Sequence, residues 1–286
     1  MTQKRDSLFL AIVVLAAGYS AYKMAGSEVT TPIVEDHSDN VDLANQGILV
    51  TPKGASVKTL PDFKNYSDVK QKKAKFFAFL LPLIEQENNR IAADRQRLLA
   101  VYQSLIDNTL LNDEQHQWLY QLASYYRIDP KNQTDKQLLK TLINRVDIVP
   151  ASLALSQSAN ESAWGTSRFA TKGNNLFGQW CFRKGCGLVP KQRPEGANYE
   201  VAAFDTPAES VASYIRNLNT HSAYLYFREL RSKLRNEQQT LSGRYLAQGL
   251  ESYSTRGEHY IDELQAMIRV NKLERFDVEQ SLSSGG

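Results

Sequence analysis

The side chain in this sequence best suited to acid catalysis is a glutamate with a tryptophan three residues after it. Glu161 lies at the predicted C-terminal end of a helix that begins at Pro150. A helix end carries partial negative charge and disfavours a carboxylate. We expect Trp164 to lie on the same helical side and to shield the carboxyl from water. Both effects raise the pKa of a carboxyl group, and a carboxylic acid that is protonated near neutral pH is what a glycosidase needs.

Two cysteines close to each other favour a small disulfide loop. Cys181 and Cys186 are separated by a short stretch, with Gly185 and Gly187 easing the turn. An oxidising compartment would favour their pairing. Two unpaired thiols at a surface hairpin are the alternative that this spacing leaves open.

The N-terminal segment indicates export. Lys4 and Arg5 precede an apolar run that fades by residue 22, an arrangement that keeps the basic end in the cytoplasm and sends the rest across. The run is shorter than the ~20 residues that span a bilayer. Residues 1–22 are therefore either a signal peptide or a signal anchor through residues 7–22, and residues 23–60 are a linker. We expect the protein to be located in the periplasm, or at the periplasmic face of the inner membrane, of a bacterium.

Composition excludes several classes of protein. The 286 residues are enough for one or two domains, and the net charge of +3 gives no general attraction to nucleic acid. Two cysteines cannot build a multi-cysteine zinc site, and the four histidines lack metal-ligand spacing. No metal and no cofactor are expected.

The hydrophobic pattern predicts an α+β fold that is mostly α. A first helix spans about residues 68–106, with a kink or a break expected near Leu81 because Pro82 interrupts it. A hairpin or small twisted sheet is predicted over residues 176–204. Further helices are predicted at residues 112–129, 134–145, 150 to about 161, 206–219, 223–235, 240–250 and 258–270.

The stretch ESAWGTSRFA at residues 161–170, followed by NNLFG at residues 174–178, resembles the signature of glycoside hydrolase family 73, the bacterial glucosaminidases. The longer pattern resembles the Bax-type branch of that family, through residues 60–63, 72–77, 216–221 and 253–257. The resemblance implies a lysozyme-like glucosaminidase domain with a small β-hairpin lobe over residues 131–280. A helical accessory region over residues 61–130 would precede it.

The resemblance also implies roles for individual residues. Glu161 would be the general acid, Trp164 would contact the substrate, and the loop residues Asn174, Asn175 and Phe177 would shape the floor of a glycan groove. Tyr253 matches a family tyrosine near the scissile sugar. Where the family has an aspartate three residues later, this chain has Arg256, so a role of that acid does not carry over.

The second carboxylate is left open by the sequence. Glu200 is favoured because it lies in a strand-like run, while Glu195 and Asp205 are alternatives. The substrate's own N-acetyl group, attacking with Tyr253 nearby, could replace a second carboxylate altogether.

The function implied is hydrolysis of the β-1,4 bond after N-acetylglucosamine in peptidoglycan, by a protein that is expected to be monomeric. Its partner would be the peptidoglycan glycan strand. A lytic transglycosylase and a non-catalytic wall-binding protein are the alternatives.

Overall fold

The computed structural model describes residues 59–277, and residues 1–58 and 278–286 lie outside it. The predicted signal or anchor segment and almost all of the predicted linker are therefore not described. None of the described helices is long and apolar enough to cross a membrane.

The first helix, α1, spans Val69–Ile106. Its N-terminus is capped by Asp68, whose carboxylate accepts a hydrogen bond from the backbone N–H of Gln71 at 2.6 Å. Of the kink or break expected near Leu81, the break is wrong, because the helix continues through Pro82. The kink stays a prediction. A proline removes one hydrogen bond of the ladder, whereas Leu80 and Ile84 on either side of it are fully buried in one core.

Three helices lead to the candidate catalytic residue. The helix α2 spans Asp113–Tyr125 and α3 spans Asp135–Arg145, and both begin with a capping box, at Asn112 and Thr134 respectively. The helix α4 spans Ala151–Glu161, and every residue from Ala151 to Ala159 is buried. A helix that is covered on all sides can hold its last side chain in a fixed place.

A short helix and a small sheet follow. The helix α5 spans Arg168–Gly173, and the strands are β1 (Trp180–Cys181), β2 (Gly187–Leu188) and β3 (Glu200–Ala202). The strand order is β1-β3-β2 and both pairs are antiparallel. The predicted disulfide between Cys181 and Cys186 is confirmed, with a Cα–Cα distance of 6.2 Å.

The rest of the chain is mostly helical. The helices are α6 (Pro207–Thr220), α7 (Leu225–Asn236), α8 (Gly243–Leu246) and α9 (Glu258–Val270). A 3-10 segment, Ala247–Tyr253, joins α8 to the loop before α9. The prediction of a mostly α protein with a small β insertion is confirmed.

One continuous hydrophobic core includes residues from Phe63 to Leu273. The helix α1 contacts α3, α4 and α6, so the helices of the predicted accessory region share this core with the catalytic part. Phe63, just before α1, packs tightly on Gly165, just after α4. A Cβ added to Gly165 would lie 2.6 Å from Cδ2 of Phe63. Only glycine fits there, and its φ of +74° favours glycine as well.

Candidate active site

Glu161 is the last residue of α4, as the sequence predicts, and its side chain is half-buried. Burial raises the pKa of its carboxyl group from 4.5 to about 7. Hydrogen bonds from Tyr260 and Asn160 and the charge of Arg256 lower this pKa, but together they do not offset the burial. The carboxyl group is therefore protonated in a large fraction of molecules at neutral pH.

A chain of hydrogen bonds runs from α6 through α4 to Glu161. The hydroxyl of Tyr214 donates to Oε1 of Gln157 at 2.5 Å, and Nε2 of Gln157 donates to the hydroxyl of Tyr260 at 2.9 Å. Tyr260 is in turn hydrogen-bonded to the Glu161 carboxyl. Gln157 lies one helical turn before Glu161, so α4 supplies both the acid and the group that orients its partner.

Four buried tyrosines surround the acid: Tyr214, Tyr224, Tyr253 and Tyr260. Burial raises the pKa of each hydroxyl, and the negative charge of Glu161 raises it further. These hydroxyls therefore stay protonated at neutral pH. Of the four, Tyr260 acts back on Glu161 through its hydrogen bond, which lowers the pKa of the acid.

A loop between α5 and β1 closes against the acid. Gly178 has a φ of +66°, and a Cβ added to it would lie 3.2 Å from Oε2 of Glu161. The hydroxyl of Tyr253 donates to the carbonyl of Phe177 at 2.8 Å, which holds the loop from the other side. The contact shown for Tyr253 is thus one that positions the loop.

The three predicted groove residues build this loop. Nδ2 of Asn174 donates to the carbonyls of Phe204 and Asp205, and Nδ2 of Asn175 donates to those of Gln179 and Ala202 at 2.8 Å each. Phe177 is fully buried and stacks on Tyr214 with 3.9 Å between the ring centroids. These contacts are architectural, and a contact of the three side chains with a glycan stays a prediction.

The predicted placement of Trp164 on the helix of Glu161 is wrong. The helix ends at Glu161, and Ala163 and Trp164 have φ values of +50° and +59°. The indole packs edge-on against Phe76 and Phe77 of α1, at 5.8 and 5.3 Å between centroids. The side chains that act on the Glu161 carboxyl through a hydrogen bond are Tyr260 and Asn160. Trp164 is half-buried, and its predicted contact with substrate is untested.

Glu200 lies on β3 and is buried. Its two carboxylate oxygens accept hydrogen bonds from the backbone N–H groups of Gly185 at 3.0 Å and Gly187 at 2.8 Å, and these bonds lower its pKa. The carboxylate therefore ties the disulfide loop to the sheet. The two alternatives, Glu195 and Asp205, are exposed.

Arg256, at the position of the family's aspartate, is exposed and forms an ion pair with Glu263, with Nη1 at 2.7 Å from both carboxylate oxygens. Arg256 lowers the pKa of Glu161, whereas Glu263 raises it. The two charges oppose each other, so burial dominates the pKa of the acid.

Among the described residues, one group of potential metal ligands comes close together, namely Cys181, Cys186 and Glu200, within 4.8 Å. Both sulfur atoms are in the disulfide, so this group is not suited to hold a metal ion in the oxidised protein.

Sequence regions that the resemblance did not use also contribute to the site. Gln157 and Tyr260 are not singled out by any pattern, because 103 residues separate them. Gly178 could have been found, since it closes the NNLFG stretch and glycine is the residue that tolerates a positive φ.

Comparisons with known proteins identify the family of the chain. The glucosaminidase family, described as mannosyl-glycoprotein endo-beta-N-acetylglucosaminidase, matches residues 136–273. The chain is 33% identical to Protein bax of Escherichia coli (strain K12) over 225 residues, which cover 76% of each chain. No solved structure gives a significant match. The match to this family indicates that the protein is a glycosidase that acts on peptidoglycan. The chain belongs to the glucosaminidase family, in its Bax-type branch.

Proposed function

We propose that this protein hydrolyses the β-1,4 bond after N-acetylglucosamine in peptidoglycan, with Glu161 as the general acid. The observation that carries the proposal is the position of Glu161 at the end of α4, enclosed beside Gly178 of the NNLFG loop, where burial raises its pKa to about 7. Such a group holds its proton at neutral pH and can still release it to a departing sugar oxygen as an oxocarbenium-like state develops.

The second step has two candidate routes, through a water molecule activated by Glu200 or through the N-acetyl group of the substrate. Both oxygens of Glu200 accept backbone hydrogen bonds that lower its pKa, and a carboxylate with a lowered pKa is a weaker general base. This favours the second route. The N-acetyl group would attack the anomeric carbon, and water would then open the ring that forms.

The exported location rests on residues 1–22, which lie outside the described residues. It fits the proposed substrate, because peptidoglycan is outside the cytoplasm. We therefore retain export to the periplasm, by a cleaved signal or an anchor, as part of the proposal.

Replacement of the acid tests the proposal. We expect Glu161→Gln to reduce the release of soluble fragments from purified sacculi by at least about 100-fold, as for the loss of a general acid. Exposed Glu237→Gln is the matched control and should digest normally. The new ends, identified by mass spectrometry, should be reducing N-acetylglucosamine.

Other outcomes of the same experiment contradict the proposal. Anhydro-muramic ends would identify a lytic transglycosylase. Binding to sacculi without any fragment release by the unmodified protein would identify a wall-binding protein. Normal digestion by Glu161→Gln would remove Glu161 from the reaction.

A further inference from the structure

The small sheet has one aromatic face and one disulfide face. Trp180 pairs with Val201 and Cys181 pairs with Glu200. Paired residues of antiparallel strands point to the same side, and successive residues alternate. Trp180 and Val201 therefore share a face with Tyr199, and the disulfide lies on the opposite face with Glu200.

The aromatic face carries a stacked pair with accessible surface. The rings of Trp180 and Tyr199 lie 4.3 Å apart at an interplanar angle of 22°, and both residues are half-buried. Phe182, which directly follows β1, is 42% exposed. Aromatic rings that are stacked in a fixed orientation and still partly accessible form a rigid apolar surface.

This surface lies close to the acid. Gly178 packs against the carboxylate of Glu161, and Trp180 follows two residues later. Two residues of extended chain span at most about 7 Å. The stacked pair therefore belongs to the same lobe as the loop that closes against the acid, and the Cα atom of Trp180 lies within about 7 Å of that of Gly178.

We infer that Trp180 and Tyr199 form a platform that binds a pyranose ring of the glycan strand next to the scissile bond. The C–H groups on one face of a pyranose are apolar and slightly positive, and they pack well on the negative face of an indole. A flat platform of this kind fits a glycan better than a protein partner, whose apolar side chains would need a broader face. This inference rests on the proposed function, because that function supplies the glycan.

Binding of a defined oligosaccharide tests the platform without turnover. In the Glu161→Gln background, calorimetry would measure the affinity for the tetramer of N-acetylglucosamine. We expect Trp180→Ala to weaken binding about tenfold, the effect of losing one aromatic stack. Trp180→Phe should retain most of the affinity. Tyr120→Ala is the matched control, because Tyr120 lies on α2 and is 50% exposed.

Circular dichroism and the intact disulfide would establish that the variants are folded. Unchanged affinity in Trp180→Ala, or equal losses in Trp180→Ala and Tyr120→Ala, would overturn the platform. The proposed function is judged separately by digestion of sacculi. Loss of affinity specific to Trp180→Ala supports the platform even if that digestion fails.

With Glu161 restored, the kinetic constants give a second readout. A platform that binds substrate and transition state alike predicts a KM about tenfold higher in Trp180→Ala, with kcat changed less than about twofold. A fall in kcat at constant KM would contradict the platform, since it would indicate a displaced catalytic loop instead.

Discussion

Glu161 combines two properties that are rarely found together in a carboxyl group, namely enclosure by protein and access to substrate. Burial raises its pKa, and four buried tyrosines lie near enough for its negative charge to raise theirs. Gln157 and Tyr260 fix its orientation through hydrogen bonds. Gly178 allows the loop to approach without filling the space beside the carboxylate. The acid is thus oriented by side chains that themselves are held by packing.

At high pH, the ionised form of Glu161 in this environment lowers the free energy of unfolding. Its pKa is about 7 in the folded protein and 4.5 as the ordinary value. The folded state therefore binds more protons than the unfolded chain between these values, so stability falls as the pH rises through this interval. We expect Glu161→Gln to be more stable than the unmodified protein at pH 8, by at most about 3 kcal/mol.

Urea unfolding at pH 4 and pH 8 would check this expectation. At pH 4 the two proteins should differ little, because Glu161 is protonated in both the folded and unfolded states. A free energy of unfolding at pH 8 that is the same for both proteins would mean that the Glu161 environment does not penalise the charge.

The loop and sheet act as one element that closes over the acid. The amides of Asn174 and Asn175 bond to carbonyls at and beyond the end of β3, and Tyr253 holds Phe177. Glu200 fixes the disulfide loop at the other end of the sheet. The position of Gly178 beside Glu161 therefore depends on contacts that span the whole lobe.

Glu200→Gln separates a structural role from a catalytic one. Glutamine has one acceptor oxygen, so at least one backbone N–H loses its partner. We expect hydrogen exchange at Gly185 and Gly187 to accelerate about tenfold or more, the effect of losing a hydrogen bond to a charged group. The rate of glycan cleavage should fall by less than about tenfold.

A different outcome would identify Glu200 as the catalytic base. In that case kcat would fall by about 100-fold or more, with slow hydrogen exchange retained in the loop. Such a result would contradict the substrate-assisted route favoured above. Glu195→Gln is the matched control, because Glu195 is exposed.

The elements that local sequence determines were predicted well. Asn112 and Thr134 cap their helices through side-chain contacts three residues away, and the bounds of α9 match the predicted residues 258–270. The break expected at Pro82 does not occur, because tertiary packing on both sides outweighs one missing hydrogen bond. The end of α4 was predicted, but not the left-handed backbone that turns Trp164 toward α1.

The site was predictable only as far as its signature extends. Glu161 and the NNLFG stretch could be identified because they are contiguous motifs. The link from Tyr260 to Gln157 could not, since only the packing of α9 on α4 brings these residues together. The role of Glu200 also depends on pairing between distant strands.

At the scale of the whole molecule, α1 belongs to the core that supports the acid. Phe63 and Phe76 pack close to Gly165, four residues after Glu161. The family match begins at residue 136, yet α3, α4 and α6 all pack on α1. The part of the chain that carries the chemistry would expose these apolar faces if it stood alone.

A chain that begins at residue 131, the predicted domain boundary, tests this dependence. We expect it to lack a cooperative thermal transition and to leave sacculi undigested, because the faces that α1 covers would be exposed to water. A chain that begins at residue 59 is the matched control and should unfold cooperatively. Folding and normal digestion by the shorter chain would show that residues 61–130 are separable.

The most direct measurement is a titration of the Glu161 side chain. Carbon NMR of the labelled carboxyl group, assigned by its absence in Glu161→Gln, gives the pKa without substrate. We predict a pKa of about 7 and a kcat that falls as the pH rises above it. A pKa near 4.5, the ordinary value, would contradict the role of Glu161 as general acid, because the carboxyl would then be ionised at neutral pH.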